Sequence, residues 1–157
     1  MASYAPLLAH VDAWQWRPDL IWFDNLNVIG SPNYYVQKIF SNYNGTHIVP
    51  ALSEGKALTG QDGIYASASL DRNKGKLYVK IVNSNEKPVP VQLDLGRLPY
   101  TGTAVQQILK SQNKEDFNSV SKGEIIKPVT CLLYTSDAAD DLLCVDLGDP
   151  RILNKKQ

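Results

Sequence analysis

Ile64-Tyr65-Ala66-Ser67-Ala68-Ser69-Leu70 decides the fold class, because its apolar period is two. In an extended chain Ile64, Ala66, Ala68 and Leu70 fall on one face and Tyr65, Ser67 and Ser69 on the other, the pattern of a strand with one side on a core. The same alternation recurs downstream. After a turn at Arg72-Asn73-Lys74-Gly75, Leu77, Val79 and Ile81 alternate with Tyr78 and Lys80. Residues 83–87 turn again, and Val89, Val91, Leu93 and Leu95 then oppose Gln92 and Asp94. A three-stranded antiparallel meander is predicted. Residues 105–109 and Ile125-Ile126 read as further strands across a polar loop, so the chain is expected to be mostly β, as part of a sandwich or barrel.

Upstream the texture changes. The first 42 residues hold all three tryptophans and read as helix, strand, helix. Residues 1–8 are apolar and fit the last turns of a helix. Leu20-Ile21-Trp22-Phe23 is a short continuous apolar run that fits a strand buried on both faces, and Asp24 and Asn25 end it with polar groups. Ser31-Pro32 is a helix start: the serine hydroxyl can accept from a free backbone N–H, and proline gives up a donor that had no partner. Tyr35, Val36, Ile39 and Phe40 follow at helical spacing, and Asn44-Gly45 closes the element.

A length of 157 residues gives room for one ordinary domain, or a small domain with part of another. Sixteen basic and sixteen acidic side chains cancel and are dispersed, so the charge pattern favours neither nucleic acid nor an anionic membrane surface. A neutral partner is expected. No run approaches the roughly 20 apolar residues of a membrane span, and the start lacks the regions of a signal peptide. Localisation is not legible there, with an extracellular or periplasmic setting slightly ahead of a cytoplasmic one. Cys131 and Cys144 have neither metal-ligand spacing nor a disulfide framework.

Met1-Ala-Ser-Tyr-Ala-Pro-Leu-Leu-Ala9, then Trp16-Arg-Pro-Asp-Leu-Ile-Trp-Phe-Asp-Asn25, then Gly30-Ser-Pro-Asn-Tyr-Tyr-Val-Gln-Lys-Ile-Phe40 form three spaced blocks. In that order they resemble the region after the catalytic nucleophile in family 51 of the glycoside hydrolases, the α-L-arabinofuranosidases. Tyr65-Ala-Ser-Ala68, Val79-Lys-Ile-Val-Asn83 and Thr101-Gly102 continue the likeness, which covers roughly residues 1–129. Ile29, Ser31 and His10 stand where that family commonly has tyrosine, threonine and asparagine, departures that bear on fine substrate preference.

The resemblance implies a (β/α)8 barrel joined to a jelly-roll-like β-sandwich. Residues 1–42 would be the end of the barrel, with residues 20–23 its last strand and Pro32 to Asn42 its helix, and residues 43–130 an incomplete sandwich. It implies hydrolysis of terminal non-reducing α-L-arabinofuranosyl residues by a retaining mechanism, on arabinose-containing polysaccharides or oligosaccharides. No cofactor or metal is implied, and homo-oligomers are common in the family. A retaining glycosidase needs two carboxyl groups about 5 Å apart, in this family glutamates on earlier barrel strands, both expected upstream of Met1. Glu54, Glu86, Glu115 and Glu124 fall in loops or sandwich sequence, so no catalytic residue is expected here. Because barrel chemistry sits at the carboxy ends of strands, Asp24 and Asn25 are the expected substrate-binding residues. The competing reading is a free-standing, non-catalytic β-sandwich that binds carbohydrate.

From Cys131 the alternation stops. Cys131-Leu-Leu-Tyr-Thr-Ser-Asp-Ala-Ala-Asp-Asp141, followed by Cys144-Val-Asp-Leu-Gly148, resembles the conceptual translation of a transposase-type sequencing adapter. Residues 131–157 are therefore expected to be a non-native tail, loosely packed, although Leu142, Leu143, Val145 and Leu147 are apolar enough for a strand. Among the other candidates, Trp14 and Trp16 are expected to pack in the core, and His10 and His47 to be structural histidines. Asn44-Gly45-Thr46 is formally a glycosylation triplet and is assigned no role.

Overall fold

The computed structural model describes residues 3–96, 103–134 and 142–146. Thr101-Gly102 of the family likeness, and residues 135–141 and 147–157 of the expected tail, lie outside the described residues. The chain forms two compact units, one within Met1–Tyr43 and Val105–Cys131, the other within Asn44–Ala104 and Leu132–Gln157.

In the first unit, β1 (Leu8–His10), β2 (Ile21–Phe23) and β3 (Val28–Gly30) make a three-stranded sheet with β2 in the middle. β1 runs parallel to β2, with Leu8 opposite Ile21 and His10 opposite Phe23. β3 runs antiparallel to it, Ile21 opposite Gly30 and Phe23 opposite Val28. The helix expected over residues 1–8 is not formed by the described part of that segment. The carbonyls of Pro6 and Leu7 accept from Leu20 N (3.3 Å) and Ile21 N (3.0 Å), so groups a helix would use internally serve the sheet. The strand expected at residues 20–23 is present at 21–23, but its three side chains are half-buried rather than buried on both faces. It has one parallel neighbour, and an antiparallel hairpin arm takes its other edge.

Helix α1 (Pro32–Asn42) has the predicted bounds. Ser31 caps it by accepting from Tyr34 N at 3.2 Å, and Pro32 occupies the first turn. Of the four apolar residues at helical spacing only Tyr35 is buried; Ile39 is half-covered, and Val36 and Phe40 are exposed. Ser31→Ala should therefore cost about 1 kcal/mol by removing the cap, measurable as a lowered urea midpoint with an unchanged slope.

The predicted strand at Ile125-Ile126 does not form. Ile126 is buried, and the side chain of Asn118 takes both of its backbone groups, accepting from Ile126 N (2.8 Å) and donating to Ile126 O (2.7 Å). A buried peptide must be hydrogen-bonded, and here one amide side chain substitutes for a neighbouring strand. β10 (Thr103–Ile108) and β11 (Val129–Tyr134) pair as a separate two-stranded sheet.

The second unit holds β4 (His47–Val49), β5 (Leu52–Ser53), β6 (Lys56–Ala57), β7 (Ile64–Asp71), β8 (Lys76–Asn83), β9 (Pro90–Asp94) and β12 (Leu142–Asp146). β7 and β8 pair antiparallel from Ile64 opposite Asn83 to Asp71 opposite Lys76, around the predicted turn. In that turn Asp71 Oδ1 accepts from Asn73 N and Lys74 N, each at 3.1 Å. The meander is not completed by β9. β4 lies against the far side of β7, and β9 pairs antiparallel with β12 instead. Pro88 and Pro90 supply no amide donors at the point where a ladder to β8 would start, which weakens that pairing. β9 does keep its alternation, with Val91 and Leu93 less exposed than Pro90, Gln92 and Asp94.

Backbone pairing continues past residue 131, unlike the loose tail expected there. β11 spans that position, and β12 lies along β9 with Leu143 opposite Leu93 and Val145 opposite Val91. A run as apolar as Leu142-Leu143-Cys144-Val145 pairs with an open strand edge whatever its origin.

Candidate functional site at the strand ends

Asp24 and Asn25 follow β2 directly and open the turn into β3. Asp24 is committed to that turn. Its Oδ1 accepts from Leu26 N at 2.7 Å and Asn27 N at 2.6 Å, and Asn27 Nδ2 reaches Oδ1 at 3.2 Å and Oδ2 at 3.1 Å. Its own N–H donates to Asn27 O at 3.0 Å. This is the Asx arrangement, in which a short carboxylate closes the turn that a backbone carbonyl would otherwise close. Asn25 is exposed, and its side chain has no hydrogen-bond partner among the described residues. The two residues thus differ: one holds the turn and the other is presented by it.

The Leu26 amide above all, then the side chain and amide of Asn27, hold the Asp24 carboxyl below its ordinary value of 3.8, with a smaller pull from His10. A depressed carboxyl contributes stability above its unfolded value and loses it as pH falls through the folded one. The titration midpoint followed through the Leu26 and Asn27 amide resonances is therefore expected to lie below the ordinary carboxyl value. A midpoint at or above that value would contradict the turn.

His10, at the carboxy end of β1, lies edge-on to Phe23 at 5.2 Å, and its Nδ1 accepts from Asp12 N at 3.2 Å. Val11 N donates to Phe23 O at 3.0 Å, so the connection leaving β1 starts at the same end of the sheet as Asp24. The core role expected for Trp14 and Trp16, which this connection carries, fails: Trp14 is 43% exposed and Trp16 66%. Trp14 packs edge-on to Trp22 at 6.2 Å, with the Arg17 guanidinium 4.4 Å from its ring centroid. The guanidinium over the indole face is a cation–π contact.

Local patterns gave no sign of four further features. Asp19, 2% exposed, is fully buried, and its Oδ2 has no hydrogen-bond partner among the described residues. Gly30 is held by two side chains from far along the chain: its N–H donates to Glu124 Oε1 at 3.1 Å, and its carbonyl accepts from Asn118 Nδ2 at 2.9 Å. Burial pushes the Tyr35 hydroxyl pKa up, and its hydrogen bond to the same Glu124 adds to this. Beside α1 opens a cleft of about 270 Å³ whose lining includes Lys38, Asn42, Tyr43, Gln107 and Lys127. Among the described residues no carboxyl group lines it, and retaining cleavage needs two. Among the described residues no group of three or more His, Cys, Asp and Glu side chains is placed to hold a metal ion, and no helix is long and apolar enough to cross a membrane.

Comparison with known proteins gives consistent results. The family model for the α-L-arabinofuranosidase C-terminal domain matches residues 1–147, past the change of texture at residue 131. Alpha-L-arabinofuranosidase 1 of Arabidopsis thaliana is 33% identical over 144 residues, 87% of this chain and 20% of that protein. An extracellular exo-alpha-L-arabinofuranosidase of Streptomyces chartreusis is 53% identical over 62 residues, 40% of this chain and 7% of that one. Among solved structures, the arabinose-bound MgGH51 α-L-arabinofuranosidase superposes with a TM-score of 0.76 at 25% identity, covering 93% of this chain and 22% of that enzyme. The chain therefore spans about a fifth of the length of the Arabidopsis relative and of the solved enzyme.

Proposed function

The chain belongs to the α-L-arabinofuranosidase C-terminal domain family, and from that premise we propose that it is the carboxy-terminal part of an enzyme removing terminal α-L-arabinofuranosyl residues from arabinose-containing glycans. The observation that carries this reading is the family match over residues 1–147 together with the likeness to an arabinose-bound enzyme over 93% of the chain. The acid and nucleophile come from polypeptide outside these 157 residues. What this chain contributes to the sugar is Asn25, with Asp24 holding the turn that presents it. A free-standing carbohydrate-binding sandwich fits less well, because β2 has a parallel neighbour, which an antiparallel sandwich does not require.

The mechanism assigns the two residues different effects. An amide over the sugar strengthens its hydrogen bond to a hydroxyl as positive charge develops on the reacting carbon, so its loss falls on turnover. In the full-length enzyme Asn25→Ala is expected to lower kcat by about 10²-fold with an unchanged melting temperature. Asp24→Ala is expected to lower both, because the turn itself loosens. Normal turnover in both variants, or losses that only track the folded fraction, would remove Asn25 from the site.

The same proposal divides the chain into a barrel end at residues 1–42, a sandwich at 43–130 and a foreign segment at 131–157. The adapter-like run from Cys131 supports the last boundary. The pairing of β12 with β9 and the family match through residue 147 weigh against it. Sequencing the source genome across codon 131 decides between them.

A further inference from the structure

We propose that Asn118 and Glu124 are positioning residues: together they clamp Gly30 and so fix the β2–β3 hairpin that carries Asn25, an inference that rests on the role given to Asn25 above. Both backbone polar groups of Gly30 are used by this clamp, the N–H by Glu124 Oε1 at 3.1 Å and the carbonyl by Asn118 Nδ2 at 2.9 Å. The pairing with β2 does not need them. Ser31 N, the next amide, donates to Leu20 O at 2.9 Å, so the residue after Gly30 serves the ladder and the groups of Gly30 face the outer edge of β3. The clamp stands where a fourth strand would.

Each jaw has a second neighbour. Asn118 is buried and holds Ile126 by both its N–H and its carbonyl. Glu124 lies beside the Tyr35 hydroxyl on α1 and helps to raise its pKa. Gly30 suits the grip for a steric reason, since a Cβ there would lie 2.5 Å from the Tyr34 ring. The hairpin is therefore held at both ends, by the Asp24 carboxylate at its tip and by the clamp at its base. Sliding of β3 past β2 would break the clamp and the turn together, and a one-residue slip would reverse every side chain of the strand.

Catalytic hydrogen bonds are sensitive to such fixing, because a misplacement of roughly 1 Å can cost about 10²-fold in rate. The test uses the full-length enzyme. Glu124→Ala frees the Gly30 N–H, whereas Glu124→Gln keeps an oxygen able to accept it. The expected result is a kcat about tenfold lower for Glu124→Ala, with KM little changed and the protein still folded, and near-normal kcat for Glu124→Gln. Wild-type kcat in Glu124→Ala, equal losses in both variants, or a loss that tracks the folded fraction would overturn the proposal. Amide exchange at Gly30 in the 157-residue chain reads the clamp without any activity: faster exchange in Glu124→Ala than in Glu124→Gln is expected, and equal rates would overturn it. A parent enzyme inactive on arabinofuranosides, with the Gly30 exchange behaving as expected, would instead sink the functional reading on which the positioning role depends.

Discussion

Purified on its own, the 157-residue chain is expected to release no nitrophenol from a nitrophenyl arabinofuranoside above the buffer rate. Retaining hydrolysis needs one carboxyl group to protonate the leaving oxygen and another, about 5 Å away, to attack the anomeric carbon. Each general acid or base contributes typically about 10²–10⁴-fold, so loss of both acid and nucleophile puts the rate well below detection. The glutamates present are engaged or placed elsewhere. Glu54 sits with Gly55 at the tip of the β5–β6 hairpin, both with positive φ, while Glu124 accepts from Gly30 N. Glu115 lies in the loop after β10, its N–H donating to Asn113 Oδ1 at 3.0 Å. A hydroxyl held by Asn25, as proposed, would still meet no reacting groups, and the bond would stay uncut. Turnover by the purified chain, abolished by substituting one of its own glutamates, would overturn the assignment of catalysis to the missing polypeptide.

Asn118→Ala is expected to have the largest effect on stability of any single substitution considered for the first unit. Asn118 is buried and makes three hydrogen bonds, to Gly30 O, Ile126 O and Ile126 N. Truncation strands these backbone groups in a dry environment, where each unsatisfied group costs about 1–3 kcal/mol, partly relieved where water enters. A total near 3 kcal/mol follows, or a fall of roughly 6–12 °C in melting temperature for a chain of this size. Asn118→Asp separates the contributions. It keeps the acceptor for Ile126 N, loses both donated bonds and adds a charge that burial penalises, so it should not rescue stability. A loss below about 1 kcal/mol in Asn118→Ala would mean that the segment around Ile126 repacks easily and that the grip on Gly30 is weak. Urea unfolding of the 157-residue chain, followed by tryptophan fluorescence and by circular dichroism, measures this directly.

The features the sequence alone determined are those whose physics is contained in a few neighbouring residues. The alternation from Ile64 to Leu70 and the turn at residues 72–75 fix β7, β8 and their register, because strand period and turn chemistry are local. Ser31-Pro32 fixes the start of α1 to the residue, because a cap reaches only one turn into its helix. The three blocks before residue 41 were enough to indicate the family, and they put Asp24 and Asn25 at a strand end. Tertiary structure alone decided the rest. The alternation of β9 was legible, but its partner was not, because that depends on which edges remain open and on donors that Pro88 and Pro90 lack. The carbonyls of Pro6 and Leu7 could have served a helix or a sheet, and only the arrival of residues 20 and 21 chose the sheet. Likewise the division of labour between Asp24 and Asn25 appears only once the turn closes on Leu26 and Asn27. The grip of Asn118 and Glu124 on Gly30 joins residues 88 and 94 positions apart. A hydrogen bond over that separation leaves no periodic trace, because periodicity records how a residue meets its neighbours along the chain and not which distant peptide folding will leave without a partner.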